Sequence, residues 1–488
     1  MSVVRAVSAG AWGAIDILLR HGVQFLVSLI LARLLTPADF GLIALLGFFS
    51  GLSLVLVTGG LSLALVQRHD TSPEEESAVF WCNLAAISLL AGVMVAIGPL
   101  LARFYEQPML EPLMWVAAAQ VILAALGAVH HALLSRRLAF KQLTKCGAAS
   151  SVASGALGVA AALAGWGVWA LAVQMIVASL VYSIALWLAL PWRPRLRVRL
   201  TAARRLWSFG FWVSLSSILD VAYSQGFALI VGKLHGVRDL GLFGRAQSVQ
   251  SLPLAAFAAL QRIALPLFAE RINDPEGLRH GFRTAISLTM LPTVPMMAGL
   301  ALVADLLIVV LFGEQWRDAA PILAILAAAA VLTPMHALNL NLLLARGESK
   351  HYLGLEIRKK AIGVACVIAG SFFGIAGLAW SQVVFSAFAL VINTRPTARS
   401  LGYGVVSQLL DLRGIVLATG LMSIAVLAAK SHIVAPPLPK LIALVALGGV
   451  TFLLAAWALR LRSLNEGWSA VTQTWRAKRD RPSESAIG

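Results

Sequence analysis

Charge is scarce in this sequence. Asp, Glu, Lys and Arg together make up 12% of its 488 residues, where a soluble globular chain carries roughly 25%. That scarcity excludes water as the solvent for most of the surface. Acid is scarcer than base, with 22 Asp and Glu against 39 Lys and Arg, and the carboxylates are scattered, so no cluster of catalytic acids or metal ligands stands out. The three cysteines, Cys82, Cys146 and Cys366, lie far apart in or beside apolar segments with no CxxC pairing. They read as small buried hydrophobes, without disulfide or metal chemistry. The N-terminus MSVVRAVSAGAWGAIDILL lacks the short apolar core and small-residue cleavage site of a secretion signal. Its apolar run continues to about Leu35 and is expected to be a retained first span.

Apolar residues occupy the room that charge leaves: they form 59% of the chain, and the mean hydropathy is +0.84. Stretches of about 20 such residues recur, each long enough to cross a hydrocarbon core of about 30 Å. Breaks at Pro, Gly and charge clusters divide the chain into about fourteen spans. They begin near Gly10, Phe40, Ser77, Leu110, Cys146, Trp166, Trp207, Leu240, Thr284, Trp316, Ala361, Ala376, Gly414 and Leu438. A net charge of +17 would suit nucleic acid, but in a membrane protein it reflects Lys and Arg held in cytoplasmic loops, so no nucleic-acid partner is expected. The basic connections RRLAFKQLTK (136–145), WRPRLRVRLTAARR (192–205), ARGESKHYLGLEIRKK (345–360) and WRAKRDR (475–481) all fall on one side of the alternation. The positive-inside rule makes that side the cytoplasm and puts both termini there. The opposite connections are short, the longest lying around 233–239 and 431–440. They are too small to enclose a polar active site, which argues against an enzyme acting outside the membrane.

The chain also repeats. Shifted by 200 residues, SAGAWGAI (8–15) aligns with SFGFWVSL (208–215), pairing Ser8 with Ser208, Gly10 with Gly210 and Trp12 with Trp212. Leu19, Leu29, Ile30, Leu34, Asp39, Gly41 and Leu42 recur at 219, 229, 230, 234, 239, 241 and 242. FYEQ (104–107) is echoed by FGEQ (312–315), and LLSRR (133–137) by LLARG (343–347). Six spans separate the copies, and an even number preserves direction, so the halves are parallel repeats about an axis along the membrane normal. The expected architecture is an all-α integral membrane protein. It has a first lobe in 1–200, a second in 201–412, two further helices in 413–462 and a basic cytoplasmic tail in 463–488. Transporters built from such repeats bind substrate between the lobes and rock them for alternating access.

LILARLLTPADFGLIAL (29–45) resembles the first-hairpin signature of polysaccharide-transport proteins, the Wzx-type flippases of the MATE/MOP superfamily. ALVQRHDTSPEEESAVFWCN (64–83), LIVGKLHGVRDLGLFGRAQSVQSLP (229–253), LFGEQWRDAAPILAILA (311–327) and LLLARGESK (342–350) extend the resemblance through both lobes. The resemblance implies a fourteen-helix, two-lobed fold in the bacterial inner membrane and transport without bond chemistry or a cofactor. It implies as substrate an oligosaccharide repeat unit on undecaprenyl diphosphate, carried from the cytoplasmic to the periplasmic leaflet for capsule, exopolysaccharide or O-antigen assembly. Membrane lipids, a polysaccharide polymerase and export machinery are the partners it suggests. Arg245, in GLFGRAQ, matches a commonly basic family position. The alternatives are a cation-coupled drug or metabolite antiporter of the same superfamily, a peptidoglycan-precursor flippase, a non-transporting scaffold and an integral-membrane enzyme.

An ionisable side chain inside the hydrocarbon is costly unless paired or facing water, so each is a site candidate. Asp16, Arg20 and Gln24 share one face of span one at i, i+4, i+8, with His21 adjacent. A diphosphate stripped of water is best met by a bidentate guanidinium, and the three cations within spans are Arg20, Arg245 and Arg262. Arg20, His21, Gln24 and Arg245 are therefore expected to bind substrate, with Asn339 and Asn341 contacting sugar hydroxyls. Asp16 and Asp220 are expected to couple a cation, and no metal site is expected. The bland readings stand beside these: an Asp16–Arg20 salt bridge, a snorkelling Arg262, Asp220 in a structural pair, and Asp305, His336, Asn339 and Asn341 as glue between helices. Trp81, Trp115, Trp166, Trp169, Trp192, Trp207 and Trp316 fall near span ends, as an aromatic belt would. Pro253, Pro266, Pro292, Pro295 and Pro334 are candidate hinges.

Overall fold

Polar residues flanking the apolar runs set the helix starts. Ser72 accepts from the Glu75 backbone N–H while the Glu75 carboxylate accepts from the Ser72 N–H, a reciprocal cap with Pro73 in the first turn. Asp274 caps the helix beginning at Pro275 in the same manner, accepting from the Gly277 N–H. Gly402, at φ 62°, ends another in the left-handed conformation.

The computed structural model describes residues 22–58, 62, 65–66, 71–195 and 200–461, giving the backbone alone at 200–216, 255–263, 265–267 and 349. Every regular element among them is helical. In order these are α1 (Gly22–Leu34), α2 (Pro37–Thr58), α3 (Pro73–Phe104), α4 (Leu110–Arg136), α5 (Phe140–Leu163), α6 (Val168–Ala189) and α7 (Leu200–Glu270), which is broken at Gly236. There follow α8 (Pro275–Leu302), α9 (Ala304–Phe312), α10 (Ala319–Ala330), α11 (Thr333–Ala345), α12 (Ser349–Ser371), α13 (Gly374–Leu401), α14 (Val405–Asp411), α15 (Arg413–His432) and α16 (Pro437–Ala458). Ten of the described helical stretches are long and apolar enough to cross a bilayer, α10 and α11 counting as one, Ala319–Ala345. Their outer faces carry Leu188, Trp457, Leu89 and Leu163 at 70–80% exposure. Apolar surface on that scale belongs against lipid tails. The chain is an all-α, multi-pass membrane protein.

Two compact units form, one ending at Gly244 and one starting at Arg245. The first is cored by Leu65, Val79, Phe80, Val129, Leu133 and Leu186, and by Leu31, Leu35, Ala161 and Leu171. The second is cored by Phe268, Phe282, Ile286, Met290, Met335, Leu338, Tyr403, Ile415 and Met422. Within the first unit α7 lies on α2 at backbone distance. A Cβ at Gly41 would stand 1.7 Å from the Val237 carbonyl oxygen, and one at Gly241 would stand 1.8 Å from that of Pro37. These two contacts interchange under the 200-residue shift. The break at Gly236 (φ 84°, ψ 169°) makes this possible, because it restarts the helix at Val237 just as α2 starts at Pro37.

Two features differ from expectation. Trp316 is fully buried and takes no part in an aromatic belt, whereas Trp115 and Trp166 are more than half exposed at helix starts. Pro292 and Pro295 lie inside α8, but Pro334 opens α11, where its missing N–H breaks no helical hydrogen bond.

Candidate functional site

The apolar runs of α1, α2, α4, α5 and α6 are interrupted by neutral polar residues, and the packing of the first unit gathers these around one cavity of about 490 Å³. Gln24 of α1, Gln120 and His131 of α4, Ser150, Ser151 and Ser154 of α5, and Gln174, Ser179 and Tyr182 of α6 supply its polar wall. Val27, Leu54, Val57, Ala124 and Met175 supply the apolar remainder. Ser150 Oγ donates to the Ala178 carbonyl at 2.7 Å, tying α5 to α6. Ser50 Oγ lies 3.5 Å from Gln120 Oε1, and the His131 and Tyr182 rings lie 6.4 Å apart. No Asp, Glu, Lys or Arg is among the described lining residues. Amides and hydroxyls both donate and accept, so this wall matches a neutral, polyhydroxylated ligand. A volume within roughly 300–1,000 Å³ is that of a small-molecule site. A diphosphate would find no Lys or Arg on the described wall.

Of the residues expected from sequence, Gln24 lines this cavity. Asp16, Arg20 and His21 lie outside the described residues, as does the Arg262 side chain. Arg245 belongs to the second unit, 8% exposed, its guanidinium 5.0 Å from the Phe312 ring centroid and 5.3 Å from that of Trp316. Asn339 is 1% exposed: its amide donates to the Met335 carbonyl at 2.8 Å and to Gln408 Oε1 at 3.1 Å. Its Oδ1 accepts from Thr397 at 2.7 Å and from Gln408 Nε2 at 3.1 Å. Asn341, two residues on, faces another side of α11 and is half-buried. Asp220 is exposed on α7. His336 lies 3.1 Å from the Ser386 hydroxyl, and Asp305 accepts from Lys430 at 2.7 Å. Sequence reasoning passed over Gln120, Gln174 and the α5 serines because it searched apolar spans for charge. The available signal was the recurrence of glutamine, a costly uncharged side chain, within three separate apolar runs.

A family model described as polysaccharide biosynthesis protein matches residues 30–321. The succinoglycan biosynthesis transport protein ExoT of Rhizobium meliloti is 29% identical over 326 residues, 66% of each chain. The lipopolysaccharide biosynthesis protein WzxC of Escherichia coli is 23% identical over 389 residues, 77% of each chain. Among solved structures, the lipid II flippase MurJ superposes with a TM-score of 0.74 at 12% identity, covering 91% of this chain and 97% of that one. A multidrug resistance MATE family transporter of the MOP superfamily superposes with a TM-score of 0.61 at 15% identity, covering 79% and 98%. The fold is thus that of the MATE/MOP superfamily, and the family match spans well over half of the sequence: the chain belongs to the polysaccharide biosynthesis protein family, the Wzx-type polysaccharide-transport proteins.

Proposed function

We propose that the protein is a flippase that moves undecaprenyl-diphosphate-linked oligosaccharide repeat units from the cytoplasmic to the periplasmic leaflet of the bacterial inner membrane, by alternating access. The carrying observation is the uncharged cavity of amides and hydroxyls in the first unit of a member of this family. Sugar hydroxyls entering a membrane need replacement hydrogen bonds, and Gln24, Gln120 and Gln174 each offer donor and acceptor together. The diphosphate needs cations. Arg20 and His21, one helical turn before Gln24 in sequence, are proposed to meet it. Asp16 and Asp220 are proposed to couple a cation. The topology proposed is fourteen spans with both termini cytoplasmic, and the work is transport with no bond chemistry.

A cation-coupled drug antiporter would instead call for a carboxylate in the cavity, and its described lining has none. The test is to delete the gene and measure surface polysaccharide together with undecaprenyl-diphosphate-linked oligosaccharide in the cytoplasmic leaflet. Loss of polysaccharide with trapped repeat units, restored by the wild-type gene, is expected. Complementation with Gln24→Ala or Gln174→Ala is expected to restore membrane levels of the protein but only a fraction of the export. Intact polysaccharide without accumulation, in a strain lacking a redundant flippase, would refute the reading.

A further inference from the structure

Most basic residues of the cytoplasmic connections are scattered, but one set is gathered into a groove. Between α12 and α13 lies a cavity of about 450 Å³ lined by His351, Arg358, Arg395 and Arg399 with Leu355, Ile362, Ile392 and Pro396. Helical spacing places these side chains: 351, 355, 358 and 362 share one face of α12, and Arg395 and Arg399, four apart, share one face of α13. No acidic residue is among the groove's described lining. Of the nearby carboxylates, Glu356 pairs with Lys359, and Glu348 with Arg346 at 3.2 Å and with His351 at the groove's edge at 3.3 Å, so neither meets a groove arginine. Arg358, Arg395 and Arg399 form no ion pair with a described residue, and all three are exposed. Three guanidiniums held together without a counter-charge repel one another and favour an anion with several acceptor oxygens.

The surroundings select the kind of anion. The α13 stripe that ends in Arg395 and Arg399 continues into the membrane as Val391, Phe388 and Val384, which are 43%, 53% and 47% exposed. A basic groove leading onto the exposed apolar stripe of α13 has the outline of a lipid with an anionic headgroup. By the distribution of Lys and Arg, this end of the helices is cytoplasmic, where anionic lipids meet basic pockets between spans.

We infer that the Arg358–Arg395–Arg399 groove binds the phosphate of an anionic phospholipid of the cytoplasmic leaflet. This site is independent of what the protein transports. The test uses the full chain in neutral detergent and native mass spectrometry, titrating phosphatidylglycerol with phosphatidylcholine as the neutral probe. Arg358→Gln/Arg395→Gln/Arg399→Gln is compared with Arg137→Gln/Lys141→Gln/Lys145→Gln, which removes equal charge from another cytoplasmic connection. The groove variant is expected to lose phosphatidylglycerol affinity by on the order of tenfold or more, and the control variant to keep it. Arg358→Lys/Arg395→Lys/Arg399→Lys, retaining the charge, is expected to keep most of the preference, and melting temperatures show that each variant is folded. Equal losses in the groove and control variants would overturn the site. Displacement of phosphatidylglycerol by millimolar inorganic phosphate would assign the groove to a free anion instead. Preferential binding of a polyprenyl diphosphate, with phosphatidylglycerol excluded, would make it a port for substrate.

Discussion

The cavity wall of the first unit and the buried set around Asn339 in the second treat their polar groups in opposite ways. In the first, three glutamines, four serines, a histidine and a tyrosine line open space, with Ser150 donating to the Ala178 carbonyl and Gln120 3.5 Å from Ser50. In the second, the comparable groups close on one another. Asn339, Gln408 and Thr397 form a mutually bonded set. His336 and Ser386 form another that reaches the Ala329 carbonyl, and Arg283 holds Asp411 through both oxygens at 2.7 and 2.8 Å. Polar residues within spans can thus serve two ends: satisfied by one another, they fasten helices; facing a void, they are open to a ligand. Residue type does not separate the cases, since both units use amides and hydroxyls.

The largest expected effect comes from the backbone fit of α2 against α7 in the first unit. Gly41→Ala puts a methyl where the Val237 carbonyl oxygen lies 1.7 Å away, and neither backbone can yield alone. Destabilisation of at least about 3 kcal/mol is expected, at the upper end for overpacking, read as lost folded yield and lowered Tm in detergent. Gly226→Ala on α7, the other partner of the crossing, meets nothing within 4 Å and is expected to leave Tm close to that of the wild type. Equal tolerance at both positions would remove the crossing as the organising contact of the unit.

Second in size is the fastening network of the other unit. Asn339→Leu removes a partner from Gln408 and Thr397 while both stay buried, and a stranded buried group costs about 1–3 kcal/mol. Asn339→Leu/Gln408→Leu removes both sides and is expected to cost less than the sum of the single changes. Gln174→Ala in the first unit strands no such partner among the described residues and is expected to leave Tm nearly unchanged while lowering export. Similar Tm losses for Asn339→Leu and Gln174→Ala would erase the contrast between fastening and waiting groups.

How much of this was legible in the sequence follows from what each signal is made of. Helix positions came from apolar runs ended by Pro, Gly and charge: Leu110 opens α4 as expected, and α15 and α16 begin within a residue of Gly414 and Leu438. The repeat was legible because Gly41 and Gly241 are irreplaceable where backbones touch, so both copies kept them. The cavity was legible only at Gln24, found through its charged neighbours; Gln120 and Gln174 lie on helices remote in sequence and carry no charge to mark them. Arg245 illustrates another limit: its aromatic neighbours Phe312 and Trp316 are more than sixty residues away, a contact that sequence spacing does not reveal. Likewise Asn339 and Asn341 look equivalent in the sequence, and only the helical turn between them and the approach of Gln408 tell them apart.

The smallest effect sharpens the contrast by pH. Tyr403, outside the spans, is 1% exposed and donates to Asp411 Oδ2 at 2.5 Å. Burial, and after it the hydrogen bond to the Asp411 carboxylate, raises its pKa above the usual tyrosine range. The folded protein therefore holds the phenol proton more tightly than the unfolded chain does. Stability from this group is fully present below the unfolded pKa of about 10 and is lost as pH rises from there toward the folded value. Tyr403→Phe is expected to lower Tm by a degree or so at neutral pH, and the gap to wild type should stay constant up to about pH 9 and narrow above about pH 10. No tyrosine in the described cavity wall other than Tyr182 could give a comparable signal from the first unit. A gap that widened with alkaline pH would mean that the phenolate is the form held by the fold, and that the Arg283–Asp411 corner carries positive charge available to a ligand, making it a waiting site like the cavity of the first unit.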